Sequence, residues 1–150
     1  MEALFTAVSA LCVTGLIVVD TPVHWSGFGQ AVILALIQVG GFGVMTFASV
    51  VGIAVIRKDI RTLVISVVRI SLAIEAAAAV VLTLRFALAY DEPWGSALWL
   101  GVFHAVSAFN NAGFALYSDS LMPFADDPVV LLTVSAALVL GGVGFPVLMQ

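Results

Sequence analysis

The feature that most restricts how this chain can fold is a pair of long segments without any Asp, Glu, Lys or Arg. One segment, residues 21–56, is 36 residues long, and the other, residues 128–150, is 23 residues long. A helix of 23 residues is about 35 Å long, whereas the hydrocarbon core of a bilayer is about 30 Å thick. Each segment therefore predicts a helix that crosses a membrane.

The composition of the rest of the chain agrees with a lipid environment. Hydrophobic residues make up 63% of the chain and charged residues 9%, and the mean hydropathy is +1.22. A third apolar segment, residues 63–90, is interrupted by Arg69, Glu75 and Arg85 and predicts a third span. We therefore expect an all-α, multi-pass integral membrane protein. No cleaved signal peptide is expected, because the chain begins with Met1 and an acidic residue rather than with basic residues.

Basic residues cluster around one connection between the predicted spans. Arg57, Lys58 and Arg61 lie within residues 57–62, and Arg69 follows closely. Because cytoplasmic loops of membrane proteins carry an excess of Lys and Arg, this connection is predicted to be cytoplasmic. The acidic residues of the other connections then lie outside: Asp20, Asp91, Glu92, Asp119, Asp126 and Asp127.

A short motif occurs twice in the chain. "FTAVSALCVTGL" (residues 5–16) returns as "FHAVSAFNNAGF" (residues 103–114), at an offset of 98 residues that aligns Gly15 with Gly113. "GGFG" at residues 40–43 corresponds to "GGVG" at residues 141–144. Self-similarity at this spacing predicts a duplicated unit, made of a short apolar helix, a glycine-containing turn, a polar loop and a long apolar span.

The short helix before each turn cannot cross a bilayer. Glu2–Leu11 contains 10 residues, which form about 15 Å of helix, or half of the hydrocarbon core. Irregular backbone at membrane depth is tolerated only where protein buries it or where it lines a water-filled cavity. Its carbonyls can replace the water around a small cation, and the end of the half-helix adds partial negative charge. Each motif is therefore predicted to form a re-entrant pore loop, in which glycine supplies the unusual backbone dihedrals.

At these residues the chain resembles the Trk/Ktr/HKT superfamily of potassium transporters, and most closely its KtrB-type membrane subunits. The stretches that carry the resemblance are "TAVSALCVTGLIVVDT", "FGQAVILALIQVGGFGVMTF" and "FHAVSAFNNAGFALYSDSL". The resemblance implies a potassium-channel-like fold of four helix, pore-loop, helix units around one axis, with one filter glycine from each unit. Carried over by position, the filter glycines are Gly15 and Gly113, and their neighbours in the filter are Val13, Thr14, Asn111 and Ala112.

The function that the resemblance implies is potassium uptake across the plasma membrane. K⁺ would be held only by the filter carbonyls, and Na⁺ is a candidate coupling ion. The resemblance also implies a homodimer and a cytoplasmic nucleotide-binding regulatory subunit. The lipid bilayer is a further partner. We expect no cofactor in this chain, no nucleic-acid partner and no enzymatic activity. A function of a different class stays open, in which the chain conducts nothing and serves as a membrane assembly piece that packs through its glycine-rich spans.

Two of the four units fit within the chain. We expect residues 1–56 to be a first unit that lacks its first helix, residues 57–62 to be a cytoplasmic connection, and residues 63–150 to be a second unit with both helices and its pore loop. The chain is accordingly expected to be a fragment, or the product of an internal deletion.

The glycine clusters and a buried acid each allow two interpretations. The glycines could form a hinge below the filter or could permit close helix packing: Gly40, Gly41, Gly43, Gly141, Gly142 and Gly144. Glu75 is the only acidic residue well inside a predicted span and needs a partner, but neither Arg69 nor Arg85 lies three or four residues away. Its carboxyl is interpreted either as a polar contact to a cavity or between units, or as a structural group, neutral or hydrogen-bonded to a neighbouring helix.

A possible nucleophile and base raise a rival class of function. His104 and Ser107 are three residues apart on one helix face, as in an intramembrane hydrolase. This class is disfavoured because catalysis also needs an orienting group and an oxyanion site, and the first copy has Thr6 and Ser9 instead. Cys12 is the only cysteine, which excludes an internal disulfide, and it is predicted to be a small packed side chain.

Overall fold

The computed structural model describes residues 1–53 and 60–143. Within these ranges the chain forms six α-helices and one 3₁₀ turn, and it contains no strand. The elements in order are α1 (Glu2–Leu11), α2 (Thr21–His24), α3 (Gly27–Ile53), α4 (Ile60–Ala89), α5 (Trp94–Phe109), the 3₁₀ turn (Met122–Phe124) and α6 (Pro128–Val143). The prediction of an all-α fold is therefore confirmed.

Two of the described helices are long and apolar enough to cross a membrane. The candidate span in α3 is Gly27–Val44, with a mean hydropathy of 1.6, and the candidate span in α4 is Val64–Ala89, with a mean hydropathy of 2.1. Both coincide with predicted spans. The remaining predicted span, residues 128–150, begins with α6, which has 16 residues up to Val143. The rest of it, like Arg57 and Lys58 of the predicted cytoplasmic connection, lies outside the described residues, so this span stays a prediction.

The two helices that carry the repeated motif end at the same point of the repeat. α1 ends at Leu11 and α5 ends at Phe109, 98 residues later. With 10 and 16 residues, they are about 15 Å and about 24 Å long. Each is shorter than the hydrocarbon core of a bilayer, which is about 30 Å thick.

The second of these short helices lies at the centre of the described fold. α5 packs between α4 and α6, and every residue from Phe103 to Phe109 is buried. α1 packs against α3 and leaves the apolar side chains of Leu4 and Val8 exposed. The two short helices therefore end at the same position of the repeat but differ in how much protein surrounds them.

An aromatic cluster joins the loop that follows α5 to α5 itself and to the residue after the end of α4. Phe124 of the 3₁₀ turn packs edge-on to Tyr90 and Tyr117, with ring centroids 4.9 and 5.0 Å apart. Tyr117 also stacks on His104, with ring centroids 5.4 Å apart. Burial of the phenol raises the pKa of Tyr117 to about 12. The loop that leads from α5 to α6 is thus held to the helices by ring contacts.

Asp127 ties this loop to the start of α6. Its Oδ1 accepts hydrogen bonds from the N–H groups of Val129 and Val130, at 2.9 and 3.3 Å, as an N-cap residue does. Its Oδ2 accepts from Arg85 Nε at 2.8 Å and from the Tyr90 hydroxyl at 2.9 Å. Although the residue is only 4% exposed, the hydrogen bond from Arg85 holds the pKa of Asp127 at about 2. This acid, which the sequence places in an outer connection, is therefore part of the packed structure.

Candidate functional site

Regular helix stops at the start of the repeated turn in both copies. We call residues 12–16, which follow α1, the first loop, and residues 110–114, which follow α5, the second loop. Neither loop is helical. The backbone therefore leaves the helix at "CVTGL" and "NNAGF", where the repeat predicts it. The role of the two loops as ion-filter strands stays a prediction.

The two loops make the same backbone hydrogen bonds to the helices before them. The Thr14 N–H donates to the Ser9 carbonyl at 2.9 Å, and the Ala112 N–H donates to the Ser107 carbonyl at 2.8 Å. Donors and acceptors both correspond at the offset of 98 residues. Each loop therefore turns back over the last turn of its own helix in the same way.

Both loops contain two residues with positive φ at matching positions. Val13 and Gly15 have φ angles of 56° and 69°, and Asn111 and Gly113 have φ angles of 57° and 75°. This region is open to glycine, tolerated by Asn and costly for a β-branched residue. A glycine is therefore favoured at the second position of each pair, and Val13 is held against its own backbone preference.

The two loops lie against each other at their glycines. A Cβ added to Gly15 would lie 2.5 Å from the carbonyl oxygen of Ala112. A Cβ added to Gly113 would lie 3.5 Å from Gly15 Cα, which is an ordinary contact. The structure thus brings the predicted site residues to one place: Val13, Thr14, Gly15, Asn111, Ala112 and Gly113.

A glycine of each following long helix lies behind the end of the short helix. A Cβ on Gly40 would overlap the carbonyl oxygen of Leu11, and a Cβ on Gly141 would overlap that of Phe109. Leu11 and Phe109 are the last residues of α1 and α5. Close approach of backbone to backbone therefore accounts for glycine at these two positions.

The other glycines of the clusters have different surroundings. Gly41 packs so tightly against the Asn110 side chain that a Cβ would overlap the amide, whereas a Cβ on Gly43 would meet none of the described atoms within 4 Å. α3 continues unbroken through its cluster. Gly144 lies outside the described residues. Packing explains Gly41, and a hinge at these glycines stays a prediction.

Hydroxyl groups support the first loop at its base. Ser9 Oγ lies 2.9 Å from Thr14 Oγ1, and the Thr14 hydroxyl also reaches the Ser9 carbonyl at 3.3 Å. Cys12 is exposed, so the prediction of a packed side chain is wrong in this chain. The neighbouring Leu11 meets Gly40 of α3 through its backbone, and the side chains of Leu11 and Cys12 both stay exposed.

Buried side chains of α5 support the second loop. Ser107 Oγ donates to the Phe114 carbonyl at 2.6 Å. His104 Nδ1 lies 2.8 Å from the Leu100 carbonyl, and His104 Nε2 lies 3.2 Å from the N–H of Leu116. A neutral ring protonated at Nδ1 satisfies both contacts, as donor to the carbonyl and acceptor from the N–H. His104 and Ser107 therefore each bind backbone instead of forming a base and nucleophile pair.

Glu75 lies at the base of the second loop among amide groups. It is 4% exposed. Its two carboxylate oxygens accept hydrogen bonds from Gln38 Nε2 of α3, at 3.1 and 3.0 Å, and Oε1 also accepts from Asn110 Nδ2 at 3.0 Å. Glu75 therefore makes the expected hydrogen bonds to neighbouring helices, and because α3 and α4 belong to different predicted units, its bond to Gln38 is also a polar contact between units. Sequence reasoning misses Gln38 as the partner, although it is the only polar side chain in residues 31–45.

The two copies also meet beyond the loops, where Ser118 and Asp20 are themselves 98 residues apart. The Ser118 hydroxyl donates to the Asp20 carboxylate. In the part of the chain that the structure describes, no group of three or more His, Cys, Asp or Glu side chains could hold a metal ion. The oxygen atoms of the two loops are their backbone carbonyls, the Thr14 hydroxyl and the side-chain amide oxygens of Asn110 and Asn111.

Comparisons with known proteins agree with one another. The family model described as "TrkH: Cation transport protein" matches residues 54–150. The chain is 44% identical over 168 aligned positions to the Ktr system potassium uptake protein B of Bacillus subtilis (strain 168), with 99% of the chain aligned. It is 38% identical to the protein of the same name from Vibrio alginolyticus, with 98% aligned. It is 35% identical to the potassium/sodium uptake protein NtpJ of Enterococcus hirae, with 97% aligned.

These relatives are much longer than the chain. The aligned region covers 37% of the Bacillus subtilis protein and 36% of each of the other two. The chain therefore spans little more than a third of the length of the curated relatives that it matches.

Proposed function

Because the chain belongs to the TrkH family of cation transport proteins, we propose that it contributes two filter strands to a potassium uptake pathway through the plasma membrane. Selectivity comes from backbone carbonyls of the first and second loops, around Gly15 and Gly113. No covalent bond is made or broken during transport. The electrochemical gradient of the ion drives its movement.

The observation that carries the proposal is that the two loops share the same unusual backbone conformation. Two short helices end 98 residues apart, and each is followed by a turn with the same positive-φ pattern. Non-helical backbone at membrane depth is tolerated where it is buried or lines a water-filled cavity. Carbonyl oxygens in such a turn can take the place of the water around K⁺, and the C-terminal ends of α1 and α5 add partial negative charge.

The names of the relatives support potassium as the transported ion. Two of the proteins reported above are potassium uptake proteins by name, and the third is a potassium/sodium uptake protein. We extend potassium uptake to this chain and keep Na⁺ as a candidate coupling ion. The homodimer and the cytoplasmic nucleotide-binding subunit belong to the same proposal and rest on the family resemblance.

The test uses a chimera in which this chain replaces the segment that it matches in the Bacillus subtilis relative, expressed in bacteria without other potassium uptake systems. The variant Gly113→Ser is compared with Gly95→Ser, a control in α5 where an added Cβ would meet nothing within 4 Å. K⁺ uptake and its inhibition by Na⁺ are measured, together with the amount of protein in the membrane.

We expect the chimera to restore K⁺ uptake and Gly113→Ser to weaken the discrimination of K⁺ from Na⁺, because a side chain strains a backbone with φ of 75°. Gly95→Ser should behave as the unmodified chimera. Unchanged selectivity of Gly113→Ser at normal membrane levels would remove the filter assignment. A chimera that inserts but transports no K⁺ would instead favour the assembly role.

A further inference from the structure

We propose that Glu75 is a positioning residue for the second loop: through Asn110 it fixes the point at which α5 turns into the filter strand. This inference rests on the proposed function, since the position of the strand matters only if its carbonyls select the ion. The substrate-facing atoms belong to the loop backbone. Glu75 acts on them through one intermediate side chain.

The first step of the argument is that the Glu75 carboxylate is itself held in a defined orientation. Gln38 Nε2 donates to both of its oxygens, at 3.1 and 3.0 Å. Gln38 belongs to α3 and Glu75 to α4, so this contact joins the long helix of the first predicted unit to that of the second. A carboxylate shared in this way has little freedom to rotate.

The second step is that the oriented carboxylate holds Asn110. Asn110 follows the last residue of α5 and is its C-cap. Its Nδ2 donates to Glu75 Oε1 at 3.0 Å and to the carbonyl of Val106 at 2.9 Å. The next residue, Asn111, is the first residue of the second loop with a positive φ, at 57°. The side-chain contacts of Asn110 are thus made one residue before the backbone changes direction.

The third step concerns what else holds the Asn110 amide. Among the described residues its buried Oδ1 has no hydrogen-bond partner, and it packs against Gly41 of α3. Apart from a longer contact to Gln38 Oε1 at 3.4 Å, the Asn110 amide is therefore oriented by Glu75 and by its own helix. Without the carboxylate, Nδ2 keeps its local bond to Val106 and the longer contact to Gln38, and its hydrogen bond to α4 is lost.

The fourth step is that a carboxylate here is costly and its hydrogen-bonding partners are neutral. Both groups that donate to Glu75 are amides, and the ion pairs of the described residues do not include it. An ionised acidic side chain inside a membrane span costs several kcal/mol, and such side chains usually have a functional role. The geometry assigns the role of Glu75 to its acceptor oxygens, which accept hydrogen bonds from the two amides, rather than to its charge.

The first loop has no such support, which makes the role specific to the second. Cys12 occupies the position that corresponds to Asn110 at the offset of 98 residues, and its side chain is exposed. A thiol offers no pair of N–H donors that a carboxylate could orient. Loss of Glu75 should therefore disturb one of the two strands.

The experiment compares variants of the chimera defined above by K⁺ uptake kinetics and inhibition by Na⁺. Glu75→Gln retains an acceptor oxygen and can satisfy both neighbours if the amides rotate, whereas Glu75→Ala removes the acceptors. Asn110→Ala removes the other partner of the contact. Ser71→Ala is the matched control, because Ser71 is fully buried one turn earlier on α4 and its hydroxyl has no hydrogen-bond partner in the part of the chain that the structure describes.

We expect Glu75→Ala and Asn110→Ala to lower the K⁺ over Na⁺ selectivity by roughly tenfold, which corresponds to about 1.4 kcal/mol, and to raise the KM for K⁺. The double variant Glu75→Ala, Asn110→Ala should be no worse than either single variant, since both remove the same contact. Glu75→Gln should keep most of the selectivity, and Ser71→Ala should leave it unchanged.

Three results would overturn the inference. One is wild-type selectivity of Glu75→Ala at normal membrane levels, and another is wild-type selectivity of Asn110→Ala, which decides the matter if Glu75→Ala fails to insert. The third is a Glu75→Gln variant as poor as Glu75→Ala, because that would assign the role to the charge. Gly113→Ser is measured in parallel: if it still lowers selectivity, the proposed function stands although the inference fails.

Discussion

The first and second loops have the same backbone but different supports. Around the first loop the supporting contacts are two hydroxyls, and Val13 stays in a left-handed conformation that a β-branched residue avoids. Around the second loop, buried groups of α5 and α4 hold each part of the turn, and Asn111 adopts the left-handed conformation at lower cost. The two copies therefore share the backbone conformation of the loop, and different side chains stabilise it in each copy.

The largest expected difference between the loops is at their glycines. Gly15→Ala places a Cβ about 2.5 Å from the Ala112 carbonyl and also strains a positive φ, whereas Gly113→Ala strains the backbone without a clash. We expect Gly113→Ala to destabilise the protein by about 1 to 2 kcal/mol and Gly15→Ala to cost about 1 to 3 kcal/mol more. Thermal unfolding of the purified chimera and its K⁺ over Na⁺ selectivity measure both effects.

Equal losses from Gly15→Ala and Gly113→Ala would contradict this ranking. They would mean that the loops do not touch through Gly15 in the way described. Gly95→Ala serves as the control for a glycine in open space, and we expect it to be neutral or slightly stabilising because alanine is the better helix former.

The next difference is the strained residue of the first loop. Exchanging the residues at the matching positions should have opposite effects: Val13→Asn should relieve strain and Asn111→Val should add it. We expect a gain of about 1 kcal/mol in the free energy of unfolding for Val13→Asn and a loss of similar size or larger for Asn111→Val. Unfolding of the purified protein in detergent gives both values.

The comparison would break down if Val13→Asn destabilised the protein as much as Asn111→Val. The Val13 side chain would then contribute packing that outweighs its backbone cost. Ala at each position provides the control, because it removes the side chain without adding an amide that could hydrogen-bond to the backbone.

The smallest expected effect concerns the pH dependence of stability that Asp127, at the start of α6, contributes. The pKa of Asp127 is about 2, below the usual value of about 3.9 in an unfolded chain. Its stabilisation is therefore fully present above about pH 4 and is lost as the pH falls toward about 2. We expect thermal stability to decline over this range, while Asp127→Asn, which keeps an acceptor for the α6 N–H groups, shows a flatter profile and a lower stability near neutral pH.

A profile of Asp127→Asn that is parallel to that of the unmodified protein between pH 4 and pH 2 would show that Asp127 does not carry the acid sensitivity. Asp126→Asn is a suitable control, since Asp126 is the neighbouring acid and is exposed. We expect its profile to follow that of the unmodified protein.

The sequence predicts local features of this molecule well. The bounds of α1 follow from an apolar run that is too short to cross a bilayer, and α3 and α4 follow from long segments with few charges. The ends of the helices at the two loops follow from the repeat itself. These features depend on residues close together in the chain, where period and composition carry the information.

The contacts between helices could not be predicted in the same way. The partners of Glu75 lie 37 residues before it and 35 residues after it, so no spacing rule for one helix links them. The burial of Asp127 depends on Arg85, 42 residues earlier. The exposure of Cys12 depends on how α1 packs against α3. Each of these is a consequence of packing, which a single sequence does not reveal.

The most direct test of the account is to locate a heavy potassium analogue in the purified chimera by the anomalous scattering of Rb⁺. We predict density for Rb⁺ beside the carbonyl oxygens of residues 13–15 and 111–113, with Gly15 and Gly113 retaining positive φ. Rb⁺ bound elsewhere, or continuous helix through both loops, would contradict the claim that these two strands select the ion.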